Sequence, residues 1–489
     1  MNEVNKFYKK IFGNLKKSNT FIKEKNKDYK YQDVRIFYSN FFNKINFVKK
    51  KEIKIATLCK KSFKLYSSII SILLTKNVWV PLDEDLPKNI LEYIIRLSKT
   101  DLVLIDNSNE TKFKKIFEKL KVKYLNIDDI SLNKSAVAPF EKLNYKEHDL
   151  AMIFFTSGST GKPKGVKITN KNFISSLNGQ LNHIYKFLNK QKLVFGDYHN
   201  TSFVISLNIL LPCFYLCSQI APAIKEEDKL FVLNHAKKNK VNCIVTLPST
   251  INRIKFLFRN SFNVNLAALL MCGEPFYYDN LKFITNKLKP KHLFNCYGST
   301  ELSPWVFSYK HEKKNLSEIK NIGLVPIGKK FYNVKTLVKK DELLINGPMV
   351  NRYLLDKQNY KNHKTISKKI WYITNDRIKI KKNLFYVLGR SDSVIKLRGY
   401  RIELRGIEAK IREYEDVKNC FVFLSPEKNK KIIAAIETDK RDATKSIENF
   451  LSKNLQNYMI PKKFIFYKNF PKNKNGKIDR KLIKGNYNE

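Results

Sequence analysis

Short apolar runs alternate with amphipathic, lysine-rich stretches along most of the chain. Residues 53–58 and 78–82 are near-continuous apolar runs, and between them Phe63–Leu74 repeats its apolar positions at helical spacing. This pattern predicts a β-α-β unit. A helix from about Pro87 and a strand ending at Asp106 extend it. Residues 151–155 predict another buried strand, 172–188 a helix, and 241–247 and 267–271 two parallel strands. Near the C-terminus, 421–424 and 432–436 predict strands separated by polar, lysine-rich segments. The opening stretch MNEVNKFYKKIFGNLKK alternates lysine with apolar residues. It predicts an amphipathic surface helix and lacks the continuous apolar core of a signal peptide.

A chain of 489 residues exceeds what one core usually serves, so at least two domains are expected. Hydrophobic residues make up 43% and include 34 Phe, ample material for cores. No uninterrupted apolar run reaches the ~18 residues of a membrane span. The net charge of +49 would ordinarily point to nucleic acid. Here the excess is lysine spread over the whole length, with no arginine-rich helix and no aromatic platform, so nucleic acid is not expected as a partner. Such a surface suits an acidic protein instead. The seven cysteines form no C-x-x-C pair and mostly lie in apolar runs, which predicts buried thiols in a reducing cytoplasm.

The chemistry concentrates after the predicted strand 151–155, in TSGSTGKPKG. Gly158, Gly161 and Gly165 let backbone N–H groups approach an anion. Thr156, Ser157, Ser159 and Thr160 add hydroxyl donors, while Lys162 and Lys164 add charge. That composition predicts a polyphosphate loop. It is not a Walker loop, because Pro163 follows Gly161-Lys162 and Thr156 stands where that motif requires glycine. Four further motifs follow in order: LFNCYGSTE ending at Glu301, WYITND ending at Asp376, GRSDSVIKLRGYRIELRGIE from Gly389 to Glu408, and NGKIDR around Lys477.

These motifs, in this order, resemble those of the adenylate-forming enzymes, the superfamily of acyl-CoA synthetases, peptide-synthetase adenylation domains and luciferases. TSGSTGxPKG is matched over ten consecutive residues, Thr156 to Gly165, at all nine specified positions. The resemblance spans about residues 30–485, and LQNYMIP with NGKIDRK is similar to stand-alone amino-acid adenylation domains and D-alanine–carrier protein ligases. It implies an α/β protein. A large N-terminal domain of parallel-rich sheets with packed helices would span 1–389. A small, mobile α+β C-terminal domain would span 390–489 and pivot at Asp392.

The implied activity is ATP-dependent conversion of a small carboxylic acid (amino, hydroxy or aryl) to an acyl adenylate. Transfer to the phosphopantetheine thiol of a separate carrier protein would follow, with free CoA as the alternative acceptor. By resemblance, Thr156, Ser157, Gly158, Ser159, Thr160, Gly161 and Lys164 hold the phosphates of ATP. Gly273, Glu274, Asn295, Cys296 and Tyr297 surround adenine, and Asp376 and Arg390 hold the ribose. Thr300 bonds the α-phosphate and Glu301 helps hold Mg²⁺, a hard cation that prefers oxygen ligands. Lys477 bridges the substrate carboxylate and the α-phosphate, stabilising the charge that develops as pyrophosphate leaves.

The implied acyl pocket comprises His199, Asn200, Thr201, Val204, Leu270, Cys272, Pro304 and Trp305. Asn200 stands where amino-acid adenylating relatives carry the aspartate that holds the α-amino group. An amide offers only neutral hydrogen bonds to an ammonium, so a hydroxy or aryl acid suits it better. A one-residue shift in alignment would instead make Asp197 that carboxylate. Asn375 replaces a glycine of the family pattern, which Asn's tolerance of positive φ permits.

Overall fold

The computed structural model describes the chain except residues 1, 25–26, 46–51, 87, 134–143, 158–162, 189–190, 258–263, 352–354, 356–362, 391–393, 398–399, 426–430, 441, 456–458, 474–475 and 488–489. The expected pivot Asp392 and loop residues Gly158, Ser159, Thr160 and Gly161 therefore lie outside the described residues.

Parallel strands dominate two sheets of the larger part. One has six strands in the order Lys123–Asn126, Leu102–Ile105, Lys54–Leu58, Val78–Pro81, Leu150–Ser157 and Pro163–Thr169. Its first five strands run parallel and the last is antiparallel. The right-handed crossover rule places helices such as Phe63–Leu74 against such a sheet. That helix is buried at nearly every position, and Ser62 caps it by accepting from the Leu65 N–H. The second sheet has nine strands. Its parallel centre includes Val194–Asp197, Cys243–Thr246, Ala268–Cys272 and His292–Gly298. A five-stranded antiparallel sheet follows, containing Lys369–Lys381 and Leu384–Arg390.

The C-terminal part has its own cores. Two apolar clusters draw only on residues from Ile402 onward, one on each face of the three-stranded sheet Asn419–Leu424, Ile432–Glu437 and Lys463–Tyr467. Both of the strands expected there are present.

The helix Glu3–Asn14 is amphipathic, as expected, and its apolar face packs on the core. Val4, Phe7, Tyr8 and Ile11 are buried in the main core, Tyr8 stacks on Tyr145, and its hydroxyl donates to Asn170 Oδ1 at 2.7 Å. Two other expectations need correction. The helix expected over 172–188 starts earlier and stops at His183, with a short 3-10 turn, Tyr185–Phe187, after it. Thr169 caps its start reciprocally with Asn172. The loop expected over 156–165 is shorter too. Strand Leu150–Ser157 pairs with Pro163–Thr169 as a hairpin, with Thr156 opposite Lys164 and Phe155 opposite Gly165.

Candidate active site

The site is built where parallel strands of the nine-stranded sheet end. Ala268–Cys272 and His292–Gly298 lie side by side, with Cys272 opposite Cys296. Beyond the first strand the chain turns through Gly273, whose φ of +77° falls in the left-handed region glycine favours. Glu274 then accepts from the Ser249 N–H at 2.9 Å. Beyond the second strand, a Cβ on Gly298 would overlap the Pro304 carbonyl oxygen, so only glycine allows the chain to double back there. Thr300 and Glu301 form a short 3-10 turn directly after it.

Tyr297 points from this strand toward the five-stranded sheet, and its hydroxyl donates to Asp376 Oδ2 at 2.6 Å. Burial and the Asp376 carboxylate hold that phenol well above its ordinary pKa, so it remains a donor. Asp376 is the cross-strand partner of Arg390, which brings the two expected ribose contacts to neighbouring backbone positions. Asn375 adopts φ +56°, the conformation that its replacement of glycine requires. Asn295 also has an internal role. Its amide donates to the Val325 and Pro326 carbonyls, so those donors brace a loop from inside the core.

Lys477 crosses from the C-terminal part to this cluster. Its Nζ donates to the Gly273 carbonyl at 3.2 Å and lies 5.2 Å from the centroid of the Phe203 ring. Its charge also acts on His199 and Cys272. The loop that presents it is tight: the Asn473 N–H donates to the Lys477 carbonyl and the Gly476 N–H to the Asn473 carbonyl.

His199 and Asn200 line a cavity of about 310 Å³ together with Phe203, Thr246, Asn473 and Gly476. His199 Nε2 lies 3.0 Å from the Val245 carbonyl, and burial pushes the imidazole down to about 4. The ring is therefore neutral, with that nitrogen donating. Asn200 Oδ1 accepts from both the Ser202 N–H and the Ser202 hydroxyl at 3.0 Å. Asp197 is not available as a substitute carboxylate. It is fully buried, accepts from the Tyr66 hydroxyl at 2.7 Å, and pairs with Lys61 at 3.3 Å. Leu270, Cys272, Cys296, Val204 and Trp305 belong to the packed main core. Thr201 is buried too, and its carbonyl accepts from the Ser206 hydroxyl.

Several groups here escape sequence reading. Phe203 faces the Lys477 ammonium, and the Thr246 and Ser299 hydroxyls are buried with no hydrogen-bond partner among the described residues, one beside His199 and one before Thr300. Lys61 and Tyr66 close the network on Asp197 from far along the chain.

The pattern described as AMP-binding enzyme matches residues 38–349, and that of the AMP-binding enzyme C-terminal domain matches 406–477. The chain belongs to the AMP-binding enzyme family. It is an adenylate-forming ligase. Among curated relatives, a D-alanine–D-alanyl carrier protein ligase of Lactococcus lactis is 27% identical, covering 98% of each chain. One from Staphylococcus aureus is 29% identical over 83% of this chain and 84% of its own. Among solved structures, ATP-bound MatB from Rhodopseudomonas palustris shares the fold at a TM-score of 0.83 and 17% identity, covering 100% of this chain and 99% of that one. A four-domain nonribosomal peptide synthetase, AB3403, bound to AMP and glycine, aligns at a TM-score of 0.82 and 20% identity over 97% of this chain and 36% of its own. In this family member no described helix is long and apolar enough to cross a membrane.

Proposed function

We propose that the protein activates a small carboxylic acid with ATP and loads it onto the phosphopantetheine thiol of a separate carrier protein in the cytoplasm. A carboxylate oxygen attacks the α-phosphorus, the bond to the bridging oxygen breaks, and pyrophosphate departs. The carrier's thiolate sulfur then attacks the acyl carbon and AMP leaves. Support comes chiefly from the Lys477 ammonium at the Gly273 carbonyl, next to Cys272 and His199. From there it would neutralise charge that grows on the carboxylate and α-phosphate oxygens. No enzyme nucleophile is needed, so catalysis rests on positioning and electrostatics.

In this reading Tyr297 stacks on adenine, Gly273, Glu274 and Cys296 border it, and Asp376 with Arg390 holds the ribose. Thr300 and the strand ends at Thr156, Ser157 and Lys164 serve the phosphates. Residues 1–389 and 390–489 act as two bodies, with Asp392 as pivot. Magnesium fits at Glu301, whose side chain makes no hydrogen bond or ion pair to another described residue. A bound magnesium takes one or two carboxylates plus phosphate oxygens and water, and it would offset charge on the departing pyrophosphate. Among the described residues no three His, Cys, Asp or Glu side chains converge to bind a metal alone, which suits a site completed by the nucleotide.

The neutral Asn200 and the committed Asp197 favour an acid with a hydroxyl, or no charged group, on its α-carbon. The relatives' names favour D-alanine as the second reading. Pyrophosphate release with D-alanine, D-lactate, glycine, glycolate and benzoate separates the two, because each matched pair differs in the ammonium. D-lactate above D-alanine supports the first reading, and the reverse order rejects it. Acyl transfer to CoA as efficient as to a carrier protein would reject the proposed acceptor.

A further inference from the structure

A cavity of about 230 Å³ separates the two parts of the chain, with Gly273, Glu274, Tyr277, Glu408, Lys477 and Arg480 in its wall. Tyr277 closely follows the turn whose carbonyl Lys477 contacts. Its hydroxyl donates across the cavity to Glu408 Oε2 at 3.4 Å, and the Arg412 guanidinium lies over its ring at 4.7 Å. Glu408 is nearly inaccessible and joins three C-terminal elements. It sits on the helix Leu404–Ile411, its Oε1 accepts from the Val422 N–H at 3.0 Å, and Arg480 Nη2 stands 3.8 Å from Oε2. Arg480, just beyond Lys477, packs over the Phe421 ring at 4.8 Å.

We propose that Tyr277 and Glu408 are positioning residues for Lys477: their hydrogen bond, passed on through Arg480, latches the lysine-bearing segment to the Gly273 turn. The assignment rests on Lys477 serving adenylate formation. Because this tyrosine is buried beside a carboxylate, its phenol stays protonated and able to donate. At 3.4 Å and 3.8 Å the two contacts are modest ones. An enzyme that uses two orientations in each cycle must keep their populations near balance, and one modest hydrogen bond then shifts them measurably.

Two readouts in the full chain test the latch. With ATP present, the rate at which acetyl N-hydroxysuccinimide ester modifies Lys477 is followed by peptide mass spectrometry. ATP–pyrophosphate exchange is followed with D-lactate and with D-alanine. Tyr277→Phe should lower exchange about threefold and raise Lys477 labelling by up to about twofold, the shift that one lost hydrogen bond makes in a balanced pair. Thioester formation from added acyl adenylate should not fall and should rise by up to about twofold. Tyr386→Phe, which removes a buried hydroxyl with no hydrogen-bond partner among the described residues, should leave labelling alone. Glu408→Gln keeps an acceptor for Val422 but drops the charge facing Arg480, and it should also expose Lys477. It serves as the test if Tyr277→Phe unfolds. Unchanged labelling of Lys477 in a folded variant overturns the latch. Exchange that survives Lys477→Ala overturns the catalytic reading instead, and the labelling result still judges the latch.

Discussion

Tyr297 and Asp376 are 79 residues apart in sequence, yet the phenol donates to the carboxylate at 2.6 Å. One bond thereby ties the aromatic face expected against adenine to the carboxylate expected on ribose. Tyr297→Phe keeps the ring and loses the tie. Steady-state kinetics should give a KM for ATP raised about fivefold with kcat within about twofold, the pattern of lost uniform binding.

Lys477→Ala removes the ammonium at the Gly273 carbonyl. ATP–pyrophosphate exchange should fall by about 100-fold or more, the scale of losing one preorganised electrostatic contact. Thioester formation from supplied acyl adenylate should be largely spared, because that step breaks no bond to pyrophosphate.

The Lys61–Asp197 pair is buried on both sides, with side-chain exposures of 11% and 0%. Lys61→Ala strands a carboxylate in the core, and chemical denaturation should register a loss of about 3 kcal/mol. Replacing both partners, Lys61→Met with Asp197→Asn, should recover much of that loss, and the double-mutant cycle measures the coupling. A Lys61→Ala variant as stable as the parent would mean that water reaches Asp197.

Burial holds the His199 imidazole at about 4, below its ordinary 6.5. The unfolded chain therefore takes up this proton at a pH where the folded one refuses it. Above pH 6.5 the residue contributes nothing to pH dependence. As pH falls from 6.5 toward 4, it lowers stability by up to about 3 kcal/mol. His199→Gln should flatten that part of the stability–pH curve, and a curve identical to the parent's in that window would contradict the assignment.

The net charge of +49 gives a test of the acceptor. Raising ionic strength from low values to about 0.5 M should raise the KM for an acidic carrier protein severalfold and leave exchange with ATP nearly constant. A carrier KM indifferent to salt would remove the electrostatic argument.

Where local pattern decides the structure, the sequence was readable. The helix Phe63–Leu74 has the bounds its apolar spacing predicts, and Asn375 takes the positive φ inferred from its place in WYITND. Reading failed where tertiary pairing overrides composition. Thr156, Ser157, Pro163, Lys164 and Gly165 look like loop residues but form a hairpin. Nothing in the motif of Asn295 announces that its amide donates to the Val325 and Pro326 carbonyls. The Lys61–Asp197–Tyr66 network was illegible for a plainer reason: its members are scattered, and nothing local marks a lysine as buried in a chain so rich in lysine.

The packing of the helix Glu3–Asn14 bears on how the molecule is made. Asn14 donates to the Phe214 carbonyl, 200 residues further on, and Phe7 stacks on Tyr215. At ribosomal speeds of about 5–20 residues per second, the helix waits roughly 10–40 s for those partners to emerge. During that time its apolar stripe is exposed to the cell. Chaperone capture of nascent chains should therefore concentrate on this segment and end once the strand–helix unit reaching Tyr215 has cleared the exit tunnel.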